Sequence, residues 1–210
     1  AQGLLAGINA ALAAGGRDGL VLDRARAMIG VMVDDLVTQG ASEPYRMFTA
    51  RVEFRLLLRE DNADLRLGPR GYELGLLSPE RFRKIEEKNQ QFQKGMQWLR
   101  TCRIRPSDRV NRILKELKTT PLQEPASALE LLRRPEINWQ TLCRLTESAP
   151  QLPLPVQELI EVEVKYEGYI ERTKRQVARF QELEELRIPA GIDYYQVPGL
   201  STEVREKLTR

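Results

Sequence analysis

Residues 78–100 read SPERFRKIEEKNQQFQKGMQWLR, and this stretch sets the fold class. The Ser78 hydroxyl can accept from an orphan amide of a first helical turn. Pro79 is tolerated there, and Glu80 suits the positive end of the helix dipole. Beyond them Phe82, Ile85, Asn89, Phe92, Met96 and Leu99 recur at alternating spacings of three and four. That is the seam of a helix running to about Arg100 against a partner helix, with one polar interruption at Asn89. On this seam the aromatic side chains read as core rather than as platforms for stacked bases.

Helical periodicity continues on both sides. Gln2 to Leu12 (QGLLAGINAAL) is a helix of small residues ended by Gly15 and Gly16. Each interior glycine costs ~1 kcal/mol relative to alanine, so Gly3 and Gly7 serve either close approach of a sheet or cofactor or a tightly packed structural helix. Arg24 to Leu36 is helix-like through Ala25, Met28, Ile29, Met32 and Val33, Gln39-Gly40 ends it, and Ser42-Glu43-Pro44 reads as a turn. From Thr49 the pattern predicts another helix, with Val52, Phe54, Leu56, Leu57 and Leu58 apolar and Arg51, Arg55 and Arg59 on one face at spacing four. Strand-like alternation is limited to Asp64 to Leu67.

On the C-terminal side, Ser107 caps a helix through Val110, Ile113, Leu114 and Leu117, and Thr119 to Pro125 is the candidate boundary between subdomains. Short helices are expected around Leu129 to Arg133 and Trp139 to Leu145. The longest should run from near Pro155 to about Arg187, a hairpin arm with the stripe Leu159, Val162, Tyr166, Tyr169, Thr173, Phe180 and Leu183. A turn at Pro198-Gly199-Leu200 and a Ser201-capped helix close the chain. The expected fold is all-α, a multi-helix domain with a long helical hairpin, divided as 1–17, 18–120 and 121–210.

With 210 residues, 41% hydrophobic and 30% charged, the chain can bury a sizeable core. A net charge of +3 is too balanced to mark a nucleic-acid binder, but its distribution is uneven: from Arg81 to Lys118 twelve Lys/Arg stand against four Asp/Glu. This basic segment is either a phosphate-facing surface or a solvated face of charged helices. There is no histidine, which removes the commonest general base and metal ligand. Cys102 and Cys143 stand far apart without a CxxC pair and read as ordinary buried or half-buried thiols. No metal site is expected. Gly3 to Gly16 falls short of the roughly 20 apolar residues of a membrane span, and no signal-peptide layout is visible, so the expectation is a cytoplasmic protein. Beginning at Ala1 inside helix-like sequence, the chain is expected to be a fragment.

Two runs are distinctive: Glu43 to Leu67 (EPYRMFTARVEFRLLLREDNADLRL) and Val164 to Arg172 (VKYEGYIER). Both resemble the MnmG/GidA family, and so do Gln2 to Leu12, Gly30 to Asp35 (GVMVDD), Leu131 to Pro135 (LLRRP) and Asp193 to Leu200 (DYYQVPGL), in order along essentially the whole chain. The resemblance implies the helical C-terminal region of a homodimeric, FAD-dependent enzyme. With the GTPase MnmE, such an enzyme places an aminomethyl-type group on C5 of the tRNA wobble uridine. Residues 1–17 are then the last helix of an α/β FAD-binding domain. The flavin fingerprint and proposed redox cysteines of the family lie upstream of this region, so Cys102 and Cys143 do not inherit that role and the fragment alone is expected to hold no FAD and no catalytic site.

Arg46, Arg51, Arg55, Arg59 and Arg66 match the basic positions of the family motif and, with Arg81, Lys84 and Lys88, form the candidate RNA-binding set. The alternative is structural, with Arg55 or Arg59 paired to Glu53, Glu60, Asp61 or Asp64. Where the family has a small-Arg-Ala-Glu-Tyr-Arg run, this chain has Ala50-Arg51-Val52-Glu53-Phe54-Arg55 and loses the hydroxyls at Ala50 and Phe54. The family's chain also normally continues beyond the position of Arg210 into a small helical segment linked to partner contact. A second reading is a non-catalytic helical scaffold or dimerisation domain. The related folate-dependent tRNA methyltransferases lack this long helical region, and the 43–67 run argues against them.

Overall fold

A computed structural model describes residues 2–186 and 191–209. At its centre the Ser78 hydroxyl accepts from the Arg81 amide at 3.3 Å and starts α4 (Pro79–Thr101), as the sequence predicts. Before it come α1 (Gln2–Ala14), α2 (Met28–Thr38), a single 3-10 turn at Thr49–Arg51 and α3 (Ala63–Glu73). After it come α5 (Asp108–Glu116), α6 (Ala128–Leu132), α7 (Trp139–Leu145), α8 (Leu154–Lys165), α9 (Glu167–Glu185) and α10 (Thr202–Thr209). Among the described residues the one departure from an all-α fold is a two-residue antiparallel ladder, Arg103–Ile104 against Ala126–Ser127. The chain divides into two compact units, 1–174 and 175–210, with the division inside α9.

In the first unit, the seam of α4 is where the period places it: Phe92 and Met96 pack on the main core and Leu99 is fully buried, while Asn89 stays exposed. Leu114 of α5, Leu131 and Leu132 of α6, Leu142 of α7 and Ile160 of α8 close around Trp139, each without exposed surface, and Trp98 packs on Trp139 with ring centroids 5.4 Å apart at 57°. A Cβ added at Gly95 would lie 2.4 Å from Ile160 Cδ1 and 2.9 Å from Leu152 Cδ1, so any larger residue would have to push these side-chain ends aside in a filled core. Ser107 caps α5 as expected, its Oγ accepting from the Val110 amide at 3.2 Å. Ser127 and Glu130 form a capping box on α6, with the Glu130 carboxylate accepting from the Ser127 amide at 2.7 Å. In the second unit Gly199 takes a left-handed turn (φ 86°) and the Ser201 hydroxyl accepts from the Val204 amide at 3.4 Å to start α10.

Five expectations are corrected. The helix foreseen from Thr49 is one 3-10 turn followed by irregular turns, because Val52, Phe54 and Leu58 all point inward, and the step of two from Val52 to Phe54 would send those side chains to opposite sides of a helix. Arg51, Arg55 and Arg59 therefore do not share a helical face. Asp64 to Leu67 lies inside α3, not in a strand. The long helix expected from Pro155 breaks at Tyr166 (φ −103°, ψ 10°) into α8 and α9, next to Gly168, and its foreseen end at Arg187 lies outside the described residues. Its stripe is buried only in part: Leu159 and Thr173 are buried, but Tyr166, Tyr169, Phe180 and Leu183 are exposed, and Val156, Ile160, Val164 and Ile170 are buried beside them. Finally, α2 begins at Met28 rather than Arg24, and residues 24–26 form a turn. Cys102 is half-buried but Cys143 is exposed; both are free. Among the described residues no helix is long and apolar enough to cross a membrane, and no cluster of three metal-ligating side chains occurs.

The two kinds of helical glycine separate in a mutational test. Gly95→Ala is expected to lower stability by about 1–3 kcal/mol through overpacking at Ile160. At Gly7 an added Cβ meets nothing within 4 Å, so Gly7→Ala should raise stability by roughly 0.5–1 kcal/mol. Urea midpoints measure both, and equal shifts would refute the close crossing at Gly95.

Candidate functional site

The distinctive run 43–67 is folded around one buried carboxylate. Asp35, near the end of α2, is 4% exposed. A buried carboxylate is tolerated only when its lone pairs are filled. Here the Tyr45 hydroxyl donates to its Oδ2 at 2.6 Å, and Arg24 Nη1 donates to its Oδ1 at 2.6 Å. The same Nη1 reaches Asp34 at 2.6 Å, and Arg24 grips Glu53 as a fork, Nε to Oε1 at 2.7 Å and Nη2 to Oε2 at 3.1 Å. Arg24 is delivered by a turn against which α2 is pressed: a Cβ at Gly30 would lie 2.2 Å from the Asp23 carbonyl oxygen. Arg51 completes the group, with Nη1 3.8 Å from Asp35 Oδ2 and its guanidinium 5.1 Å from the centroid of the Tyr45 ring.

The electrostatics follow from these contacts. The Tyr45 hydrogen bond, then Arg24, holds Asp35 below the usual carboxylate range, against the opposing effect of burial. Burial, then the bond to Asp35, raises the Tyr45 hydroxyl. Arg24 lowers Glu53, and the bond to Glu53 is the largest cause raising Arg24. Next to this group Gln39 to Arg46, Phe48 and Arg51 line an open cleft of about 490 Å³.

The eight residues of the candidate RNA-binding set divide. Arg46, Arg51, Arg55, Arg81 and Lys84 are exposed. Of these, Lys84 stands 3.5 Å from Glu80, and Arg46, Arg55 and Arg81 make no side-chain ion pair with a described residue. Arg59, Arg66 and Lys88 are half-buried and turned inward. Arg59 pairs with Asp61 at 2.9 Å and Glu163 at 3.2 Å and donates to the Leu56 carbonyl at 2.8 Å. Arg66 donates to the carbonyls of Arg26 and Arg59, and its pKa is lowered by burial and then by the charge of Arg59. Lys88 binds both Asp64 oxygens, at 2.9 and 2.8 Å, and the Asp61 carbonyl at 2.8 Å. Sequence reading did not single out Arg24, Asp35, Tyr45 or Phe48 as site residues. The available signal was an acidic pair, Asp34-Asp35, set into an otherwise apolar helical run, with a tyrosine ten residues beyond Asp35.

α1 exposes its small-residue face. Added Cβ atoms at Gly3 and Gly7 meet nothing within 4 Å, and Gly3, Leu4, Gly7, Ile8 and Leu12 line an apolar cleft with Leu74 and Leu76.

The pH dependence of stability tests the Asp35–Tyr45 pair. Asp35 is depressed, so its contribution is complete above about pH 4 and is lost as the pH falls through its lower folded value. Tyr45 is raised, so its contribution is complete below about pH 10 and is lost as the pH climbs through its folded value. Tyr45→Phe should cost about 1–3 kcal/mol near neutrality and shrink the alkaline fall in thermal midpoint; Asp35→Asn should shrink the acid fall. An unchanged alkaline limb in Tyr45→Phe would refute the pairing.

Comparison with known proteins places this geometry. Residues 79–174 match the family described as the tRNA modifying enzyme MnmG/GidA C-terminal helical domain, and residues 176–210 match the MnmG/GidA C-terminal helical bundle. The tRNA uridine 5-carboxymethylaminomethyl modification enzyme MnmG of Caldicellulosiruptor saccharolyticus is 47% identical over 210 residues, covering 100% of this chain and 34% of the relative. The enzyme of the same name from Geobacter sulfurreducens is 50% identical over 209 residues, covering 100% and 33%. The solved Aquifex aeolicus GidA, in its form II crystal, superposes with a TM-score of 0.75 at 37% identity, over 99% of this chain and 32% of that one. The chain spans about a third of the length of these relatives. With both helical family models matched in order and this similarity along its whole length, the chain belongs to the MnmG/GidA family of tRNA-modifying enzymes, as its C-terminal helical region.

Proposed function

We propose that this region docks tRNA and a partner protein for an FAD-dependent enzyme that works with the GTPase MnmE on C5 of the wobble uridine, as a cytoplasmic homodimer. The observation that carries the tRNA part is the outward set Arg46, Arg51, Arg55, Arg81 and Lys84, in a chain whose relatives are named as tRNA modification enzymes. Guanidinium groups suit phosphate because their planar donors meet two oxygens at once. Arg59, Arg66 and Lys88 take a supporting role in this reading: their carboxylate and carbonyl partners favour the scaffold alternative for those three residues.

FAD supplies redox chemistry when bound to the parent enzyme, and this reading puts most of its site upstream of the residues here. They offer no glycine loop to cradle a pyrophosphate. The open glycine face of α1 fits instead a wall against which another part of the parent closes, with residues 1–17 ending the flavin-binding domain. Catalysis is assigned to the parent, not to this region alone.

Binding to a wobble-uridine tRNA across a salt series tests the docking role. The logarithm of affinity should fall linearly with the logarithm of salt, and Arg51→Gln combined with Arg55→Glu should reduce the slope by roughly two units while circular dichroism stays unchanged. Arg51 is neutralised rather than reversed because a carboxylate there would face Asp35. Unaltered binding by the folded double variant would leave the scaffold reading for this face.

A further inference from the structure

We infer that the cleft walled by residues 39–46, Phe48 and Arg51 is a subsite for a single unpaired nucleotide of the docked RNA, with Phe48 as the stacking surface for its base and Arg46 and Arg51 as the phosphate grip. This inference rests on the tRNA-docking reading and narrows it to one site.

Three features converge on it. First, size: about 490 Å³ falls within the roughly 300–1,000 Å³ of small-molecule sites, enough for one nucleotide and too confined for a helix of RNA. Second, composition: Phe48 is 53% exposed in the wall, with no core to fill, and Arg46 and Arg51 line the same cleft. An exposed aromatic beside two guanidiniums is the pairing that unstacked bases and their phosphates require. Third, rigidity: Arg51 is not a loose surface cation. It lies over the Tyr45 ring, and Tyr45 is anchored by its hydroxyl on Asp35, which Arg24 also holds. The Arg51 half of the grip is therefore oriented before RNA arrives, which limits the side-chain ordering lost on binding. Glu43, also in the wall, is the one acid there; it disfavours a second phosphate and offers an acceptor to a base N–H.

Asp35 and Tyr45 act through Arg51 and are positioning residues. Tyr45→Phe keeps the ring and loses the anchor, so it should weaken RNA binding with a salt slope close to that of the native chain, whereas Arg51→Gln should lower the slope.

The test compares two RNAs on the full chain: a hairpin with an unpaired loop and a fully paired duplex of equal length. Phe48→Ala should weaken hairpin binding about 5- to 100-fold, leave its salt slope and the duplex affinity unchanged, and be rescued by Phe48→Trp. Phe48 is half out of the protein, so these variants should fold, and circular dichroism checks that they do. If Phe48→Ala binds the hairpin like the native chain while Arg55→Glu weakens both RNAs, the nucleotide subsite is wrong and tRNA docking stands. Equal loss on hairpin and duplex also overturns the subsite. If the native chain binds neither RNA, the docking reading fails and the subsite fails with it.

Discussion

A carboxylate in a protein interior is costly unless each of its oxygens is met, and Asp35 is met from several directions at once. Its donors come from the turn at 24, from the loop at 45 and, more distantly, from the 3-10 turn at 51. These segments have little regular structure of their own, and what holds them is the obligation to satisfy one buried charge. Glu53 adds a second obligation by pulling the chain toward Arg24. In an α-helix from Thr49, Arg51 and Glu53 would point to nearly opposite sides. Here both serve the same cluster, so the backbone gives up the helix.

That conflict explains where the sequence was legible. The helices with their own caps and a clean stripe, α4 after Ser78, α5 after Ser107 and α7 at Trp139–Leu145, lie where capping chemistry and the 3.6-residue period place them. Such signals are local, and a single chain contains them. The 49–58 segment has apolar residues that satisfy a helical pattern on paper, but its inward positions are set by Val31 and Met28 across the fold. The break at Tyr166 was hidden for a related reason. A stripe of Tyr166, Tyr169, Phe180 and Leu183 looks like a core seam until burial is known, and aromatic side chains fit a wet surface as readily as a dry one.

Legibility of the site was uneven too. Arginines at 46, 51 and 55 stood out because they recur within a distinctive run, and all three are exposed. Arg59 has a local partner in Asp61, which the spacing offered, but its second partner, Glu163 on a distant helix, was not legible and helps draw it inward. Lys88 sits among exposed cations of α4 but meets Asp64 of α3. Charge patterning counts cations; it does not reveal which have found a carboxylate more than twenty residues away.

The chain has two tryptophans, and both belong to one layer, the Trp98–Trp139 pair in the core between α4 and α7. Their emission is therefore a local instrument. It will follow the opening of the α4–α8 core faithfully, but neither residues 39–51 nor residues 175–210 carry an indole. An indole signal that stays constant while RNA is added is what this distribution produces, so occupancy of the cleft has to be read from the RNA or from a label placed on the loop.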